Sequence, residues 1–169
     1  MTTTRNPSRR TVLATGAAAA ATLGMPGVAR AADTFKIGLI ASYTGAFATW
    51  GPQFENAINA YQAINGKTVK GPKGEEIEVV IVPRDAASAA ADKAKQLAEE
   101  LVLREKVKML AGFDLSPHAM SVADISQQAK IPVVIMNAAT ASITRGSPYY
   151  VRVSMTIPQN VVPLAQWSI

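Results

Sequence analysis

Val79-Val80-Ile81-Val82 and, further along, Val133-Val134-Ile135-Met136 are unbroken apolar runs. A strand with one wet face alternates apolar and polar residues. Runs like these want cover on both faces, which is the mark of a parallel sheet packed between helices. Outward from them, strand and helix signals alternate along the chain. Residues 35–43 open with Ile37, Leu39 and Ile40 and read as a first strand. Residues 53–64 place Phe54, Ala57, Ile58, Tyr61 and Ile64 on one helical face, and Asn65-Gly66 stops that helix because both residues tolerate the left-handed conformation. Lys70-Gly71-Pro72-Lys73-Gly74 is a surface turn before the strand at 77–82. A helix over 88–106 turns Ala90, Ala94, Leu97, Ala98, Leu101 and Val102 inward, with Asp92, Lys95, Gln96 and Glu99 in water. A strand at 107–111, a helix at 117–130, strands at 132–136 and 149–154, and a helix from about Pro158 follow. The expected fold class is α/β, a doubly wound parallel sheet flanked by helices.

Composition narrows the function classes. The chain has 169 residues, 49% of them apolar and 17% charged, which is globular, and it has no cysteine. That excludes disulfides, thiolate metal sites and cysteine nucleophiles. The net charge is +5. Four of the 17 basic residues, Arg5, Arg9, Arg10 and Arg30, fall in the first 31 positions, which hold no acid; 13 bases against 12 acids remain. The basic balance belongs to a leader, and no nucleic-acid partner is expected.

Residues 1–31 have the three parts of an export signal: a basic start, an Ala-rich stretch over 11–23, and Ala29-Arg30-Ala31 with small residues at both positions a signal peptidase reads. Cleavage is expected between Ala31 and Ala32, which puts the mature protein in the periplasm. Ser8-Arg9-Arg10-Thr11-Val12-Leu13 resembles the twin-arginine export motif, departing from it at Val12 and Ala14; an ordinary signal that happens to hold two arginines is the alternative. The stretch is too short and too interrupted, by Gly16, Gly24 and Pro26, for a membrane anchor.

In doubly wound sheets ligands sit beyond the carboxyl ends of the strands. The loops expected there, 42–52, 83–88, 112–117 and 137–148, are rich in Gly, Ser, Thr and Ala. Small residues let a ligand approach the backbone, and helix starts favour an anion. No dinucleotide fingerprint, phosphate-binding loop or nucleophile elbow is present. His118 lacks partners at metal-ligand spacing and reads as a helix-start residue near the surface. Asp85 and Asp114 follow strands and are candidate carboxylates; helix capping by Asp85 or Ser88, and a loop position for Asp114, are the plainer readings. No catalytic residue, metal or cofactor is expected, and the chain does not read as an enzyme.

Four ordered segments carry a family resemblance. They are Lys36-Ile37-Gly38-Leu39-Ile40 continuing through Tyr43-Thr44-Gly45-Ala46-Phe47-Ala48-Thr49-Trp50-Gly51; Val82-Pro83-Arg84-Asp85; Leu110-Ala111-Gly112 with Ser116 in the following loop; and Ile131-Pro132-Val133-Val134 leading to Asn137-Ala138-Ala139-Thr140 and Tyr150-Val151-Arg152. In order and spacing they resemble the extracytoplasmic solute-binding proteins of branched-chain amino acid-type ABC transporters, which have the type I periplasmic-binding fold. The resemblance implies capture of an amino acid or related small carboxylate or amide solute for an ABC permease and its ATPase. The protein would then reach the membrane only through the permease. A lobe that feeds a signalling receptor is the alternative.

Carried over position by position, the family's ligand contacts fall on Trp50 against the ligand side chain, Ser116 on its carboxylate, and Ala138, Ala139 and Thr140 on carboxylate and ammonium. The alternatives are a core aromatic under its loop for Trp50, N-capping for Ser116 and loop structure for Thr140. The loop 112–117 lacks the Ser/Thr run common in amino acid binders, Asp114 would repel a carboxylate if it pointed inward, and the broad face of Trp50 would suit aromatic as well as aliphatic ligands. Family members have two lobes and are roughly twice this long. The expectation is therefore an N-terminal ligand-binding lobe over 32–153, with 154–169 holding the hinge crossing and a truncated start of the second lobe. Without the second lobe, binding by the isolated part is expected to be weak, and the strand at 149–154 to be a sticky edge.

Overall fold

A computed structural model describes residues 33–87 and 90–168. Arg9, Arg10, Ala29 and Ala31 of the expected export signal, and Ser88, lie outside the described residues.

The elements run in the order β1 (Asp33–Ala41), α1 (Trp50–Asn65), β2 (Thr68–Lys70), β3 (Glu76–Asp85), α2 (Ala91–Leu103), β4 (Met109–Gly112), α3 (Ser116–Ser121), α4 (Ala123–Ala129), β5 (Val133–Ile135), β6 (Tyr150–Arg152) and α5 (Ile157–Trp167). One six-stranded sheet has the order β2-β3-β1-β4-β5-β6. Its β3-β1, β1-β4, β4-β5 and β5-β6 pairs are parallel; Ile37 of β1 lies opposite both Ile81 and Met109. The sheet is the expected one with a single difference. Thr68–Lys70 adds an antiparallel edge strand to β3, closing a hairpin over the turn at 70–74. That strand is too short and too exposed to show an apolar pattern.

Successive strand residues face opposite layers. Ile40, Leu110, Val133 and Ile135 join Leu97, Ala98 and Leu101 of α2, Ala119 of α3 and Val122 in the larger core. Leu39, Ala41 and Ala111 face the other way, onto Phe54 of α1. The inward face of α2 is as expected except at Ala90, which is exposed. The face expected on α1 is mostly bare: Phe54 is buried and Ile58 half-buried, while Tyr61 is 67% and Ile64 83% exposed. A groove of about 500 Å³ runs between that face and Ile37, Leu39, Ile81, Met109 and Val134 of the sheet.

The helix expected over 117–130 is broken at Val122. The Ser121 hydroxyl donates to the His118 carbonyl at 2.9 Å, competing with the helical ladder at that point. No helix among the described residues is long and apolar enough to cross a membrane.

The connection leaving β1 reaches β3 on one side of it, and the next reaches β4 on the other. The strand order therefore reverses between β1 and β4, and a crevice opens beyond their carboxyl ends. Gly112 ends β4 there at φ 105°, a conformation L side chains avoid, and a Cβ on it would collide with the Ile40 carbonyl.

Candidate functional site

The loops around this crevice are cross-braced. Asp85, at the end of β3, does not cap α2. Its Oδ1 accepts from the Tyr43 N–H at 2.9 Å and the Ala87 N–H at 2.8 Å, and its Oδ2 from the Thr44 hydroxyl at 2.7 Å. Burial opposes its charge, but these donors outweigh it and hold the carboxyl below its ordinary pKa. Tyr43 in turn donates to Glu55 of α1 at 2.7 Å. Its ring covers Gly51, where a Cβ would come within 2.7 Å of it. Burial first, then Glu55, push the Tyr43 phenol well above its usual pKa. The first loop is thus a fixed wall.

Beneath the crevice lies a buried polar group. His118, expected near the surface, is fully buried, and Asp114 is 2% exposed. His118 Nδ1 sits 3.4 Å from Asp114 Oδ1, one helical turn apart. Ser42 lies nearby but outside hydrogen-bond geometry, and Ser42 Oγ, Asp114 Oδ2 and His118 Nε2 have no partner among the described residues. Burial works to raise the Asp114 pKa, yet His118 and Ser42 more than offset it, so the carboxylate stays ionised. Both side chains of the pair are shut off from solvent, so the Asp114 charge does not open into the crevice.

Above that floor, Ser116 and Thr140 come together. The Thr140 N–H reaches Ser116 Oγ at 3.3 Å and the Thr140 hydroxyl donates to it at 2.9 Å. Ser116 is the first residue of α3, and its side chain makes no capping bond to that helix. Having accepted twice, Ser116 Oγ keeps its own proton to donate outward, and a hydroxyl polarised by two donors is a better donor itself. The Asn137 side chain donates to the Asp114 carbonyl at 2.9 Å and ties the two loops together.

Not every expected contact is free to act. The Ala138 N–H donates to the Phe113 carbonyl at 2.9 Å, and Ala138 is buried in the core. The Ala139 carbonyl accepts from the Ile157 N–H at 2.9 Å. Trp50 opens α1 on the other side, half-buried against the smaller core, its ring centroid 5.9 Å from that of Phe54 at a 39° tilt. It shares no bond with Ser116 or Thr140.

Arg152 was quoted within a motif and given no role. It holds the same loop from below, its Nη2 donating to the Thr140 carbonyl, while its Nε and Nη1 are buried without a partner. A lone arginine on an edge strand gave no periodic signal by which to find it. No group of three His, Cys, Asp or Glu side chains suited to a metal ion occurs among the described residues.

The periplasmic binding protein family profile matches residues 34–169. The chain belongs to that family. It is 44% identical over 135 residues to the Leu/Ile/Val-binding protein homolog 6 of Brucella abortus, covering 80% of this chain and 33% of the relative. Among solved structures it is similar to the solute binding protein of an ABC transporter from Rhodopseudomonas palustris in complex with p-hydroxybenzoic acid, with 44% identity and a TM-score of 0.76 over 80% of this chain and 36% of that one. It is also similar to a leucine binding protein from Thermotoga maritima, with 25% identity and a TM-score of 0.65 over 78% and 35% of the two chains. The chain thus spans about a third of the length of the relatives it matches.

Proposed function

We propose that this chain forms the first lobe of a solute-binding protein that captures a small carboxylate in the periplasm and passes it to an ABC permease with its ATPase. Residues 1–31 act as the export signal, cleaved near Ala31, and residues 154–169 cross toward a second lobe. The observation that carries the reading is the Ser116–Thr140 pair at the strand reversal: two hydroxyls already bonded to each other, with one proton left to give to an anion. Among the carried-over groups, the Thr140 amide and the two hydroxyls remain available, and the Ala138 amide does not.

The Trp50 face and the 44% identity to a protein that binds p-hydroxybenzoic acid favour an aromatic carboxylate over a branched-chain amino acid. Titration calorimetry of the protein with p-hydroxybenzoic acid and with leucine tests this. The expected result is tighter binding of the aromatic acid. Ser116→Ala is expected to weaken it about 10- to 100-fold, since hydrogen bonds to charged groups contribute about 1.5–3 kcal/mol. Equal binding by Ser116→Ala, or preference for leucine, overturns the assignment.

A further inference from the structure

Arg152 combines two facts the neutral hydroxyl site does not explain. Its guanidinium is attached to the candidate loop through the Thr140 carbonyl, and two of its nitrogens, Nε and Nη1, are buried with nothing to donate to. The ion pairs among the described residues are Lys36 with Glu105, Arg84 with Glu100 and Glu105, and His118 with Asp114; none involves Arg152. Guanidinium groups stay charged at any pH at which the protein is folded, so neutralisation by proton loss is closed to it. A buried cation with unspent donors is costly unless an anion meets it.

Thr140 stands between the two halves of the arrangement. Its N–H and hydroxyl turn to Ser116 and its carbonyl to Arg152. A carboxylate held by the Ser116 proton therefore lies on the same loop as a cation lacking a counter-charge. We infer that Arg152 is a specificity-determining residue, the counter-charge that makes this site select an anionic solute over a neutral one of the same shape. The inference rests on the solute-binding reading above and goes beyond it by naming the charge that discriminates. Planar carboxylates match the rigid fork of a guanidinium, as an ammonium-bearing or amide group does not.

The probes are p-hydroxybenzoic acid and its neutral amide, 4-hydroxybenzamide. In the intact protein labelled with ¹⁵N-arginine, the Arg152 Nε–H resonance is expected to move with the acid and to stay with the amide. By calorimetry, Arg152→Gln is expected to weaken the acid about 10- to 100-fold while changing amide binding less than about twofold, and Arg152→Lys, which keeps the charge, to recover part of the loss. If Arg152→Gln weakens acid and amide alike, or the resonance of the unsubstituted protein responds to neither while Ser116→Ala still abolishes acid binding, Arg152 only props the loop and the inference falls. The solute-binding reading then survives. If neither probe binds and the Ser116 and Thr140 signals are also silent, that reading fails as well.

Discussion

The two faces of the sheet are built from the same strands and end up in opposite conditions. On one, α2, α3 and α4 close over Ile40, Leu110, Val133 and Ile135, and the largest side chains there are fully buried. On the other, α1 covers Leu39, Ala41 and Ala111 near its start through Phe54 and then stands away, leaving Tyr61 and Ile64 exposed above a groove of about 500 Å³. The covered face supports α3, whose first residue is Ser116, and so positions the loops of the site. The open face carries apolar surface but no convergent donors. Volume and function are thus separated in this lobe: the roomiest cavity is an uncovered sheet face, and the polar groups that can hold a solute converge at the strand ends instead.

Substitutions can break that contrast in order of size. Leu101→Ala, on the covered face, is expected to cost about 2–5 kcal/mol in chemical denaturation, because Leu101 is fully buried against Gly38 and Leu110. Its counterpart on the open face, Tyr61→Ala, is expected to stay within about 0.5 kcal/mol; a cost as large as that of Leu101 would show that the groove is closed in solution. Gly112→Ala forces a side chain into a left-handed conformation and against Ile40, with an expected loss of about 1–3 kcal/mol.

Asp85→Asn tests the bracing of the loops by pH. The native Asp85 pKa is lowered, so its contribution is fully present above the ordinary Asp value of about 3.9 and fades as the pH falls through the native value. The stability gap between the native chain and Asp85→Asn is therefore expected to be widest near neutrality and to close in acid. A gap independent of pH would show that the carboxylate charge does not brace the loops.

Much of the contrast was legible in the sequence, though unevenly. The runs at 79–82 and 133–136 gave the parallel sheet, and the period of Ala94, Leu97, Ala98 and Leu101 gave the inner face of α2. The same logic set Ala57, Tyr61 and Ile64 on one face of α1, correctly as to pattern and wrongly as to burial. Periodicity reports that a face is apolar, not that anything in this stretch of chain covers it. β2 was missed because Thr68-Val69-Lys70 has no buried residue to mark it. His118 was misplaced because imidazole at a helix start suggests solvent, whereas Asp114, one turn earlier and folded beneath the crevice, draws it inside. In the site, Ser116 and Thr140 were reached through family resemblance, while the spent amide of Ala138 and the idle donors of Arg152 depend on through-space partners that no local pattern encodes.

The central claim, that solute is held at the strand ends and not in the apolar groove, can be put to one measurement: amide chemical shifts of the protein titrated with p-hydroxybenzoic acid. The account predicts that the amides of Ser116, Ala139 and Thr140 move most and saturate together, while those of Tyr61 and Val69, which line the groove, stay in place. Movement of the groove amides with the loop amides unmoved would contradict it.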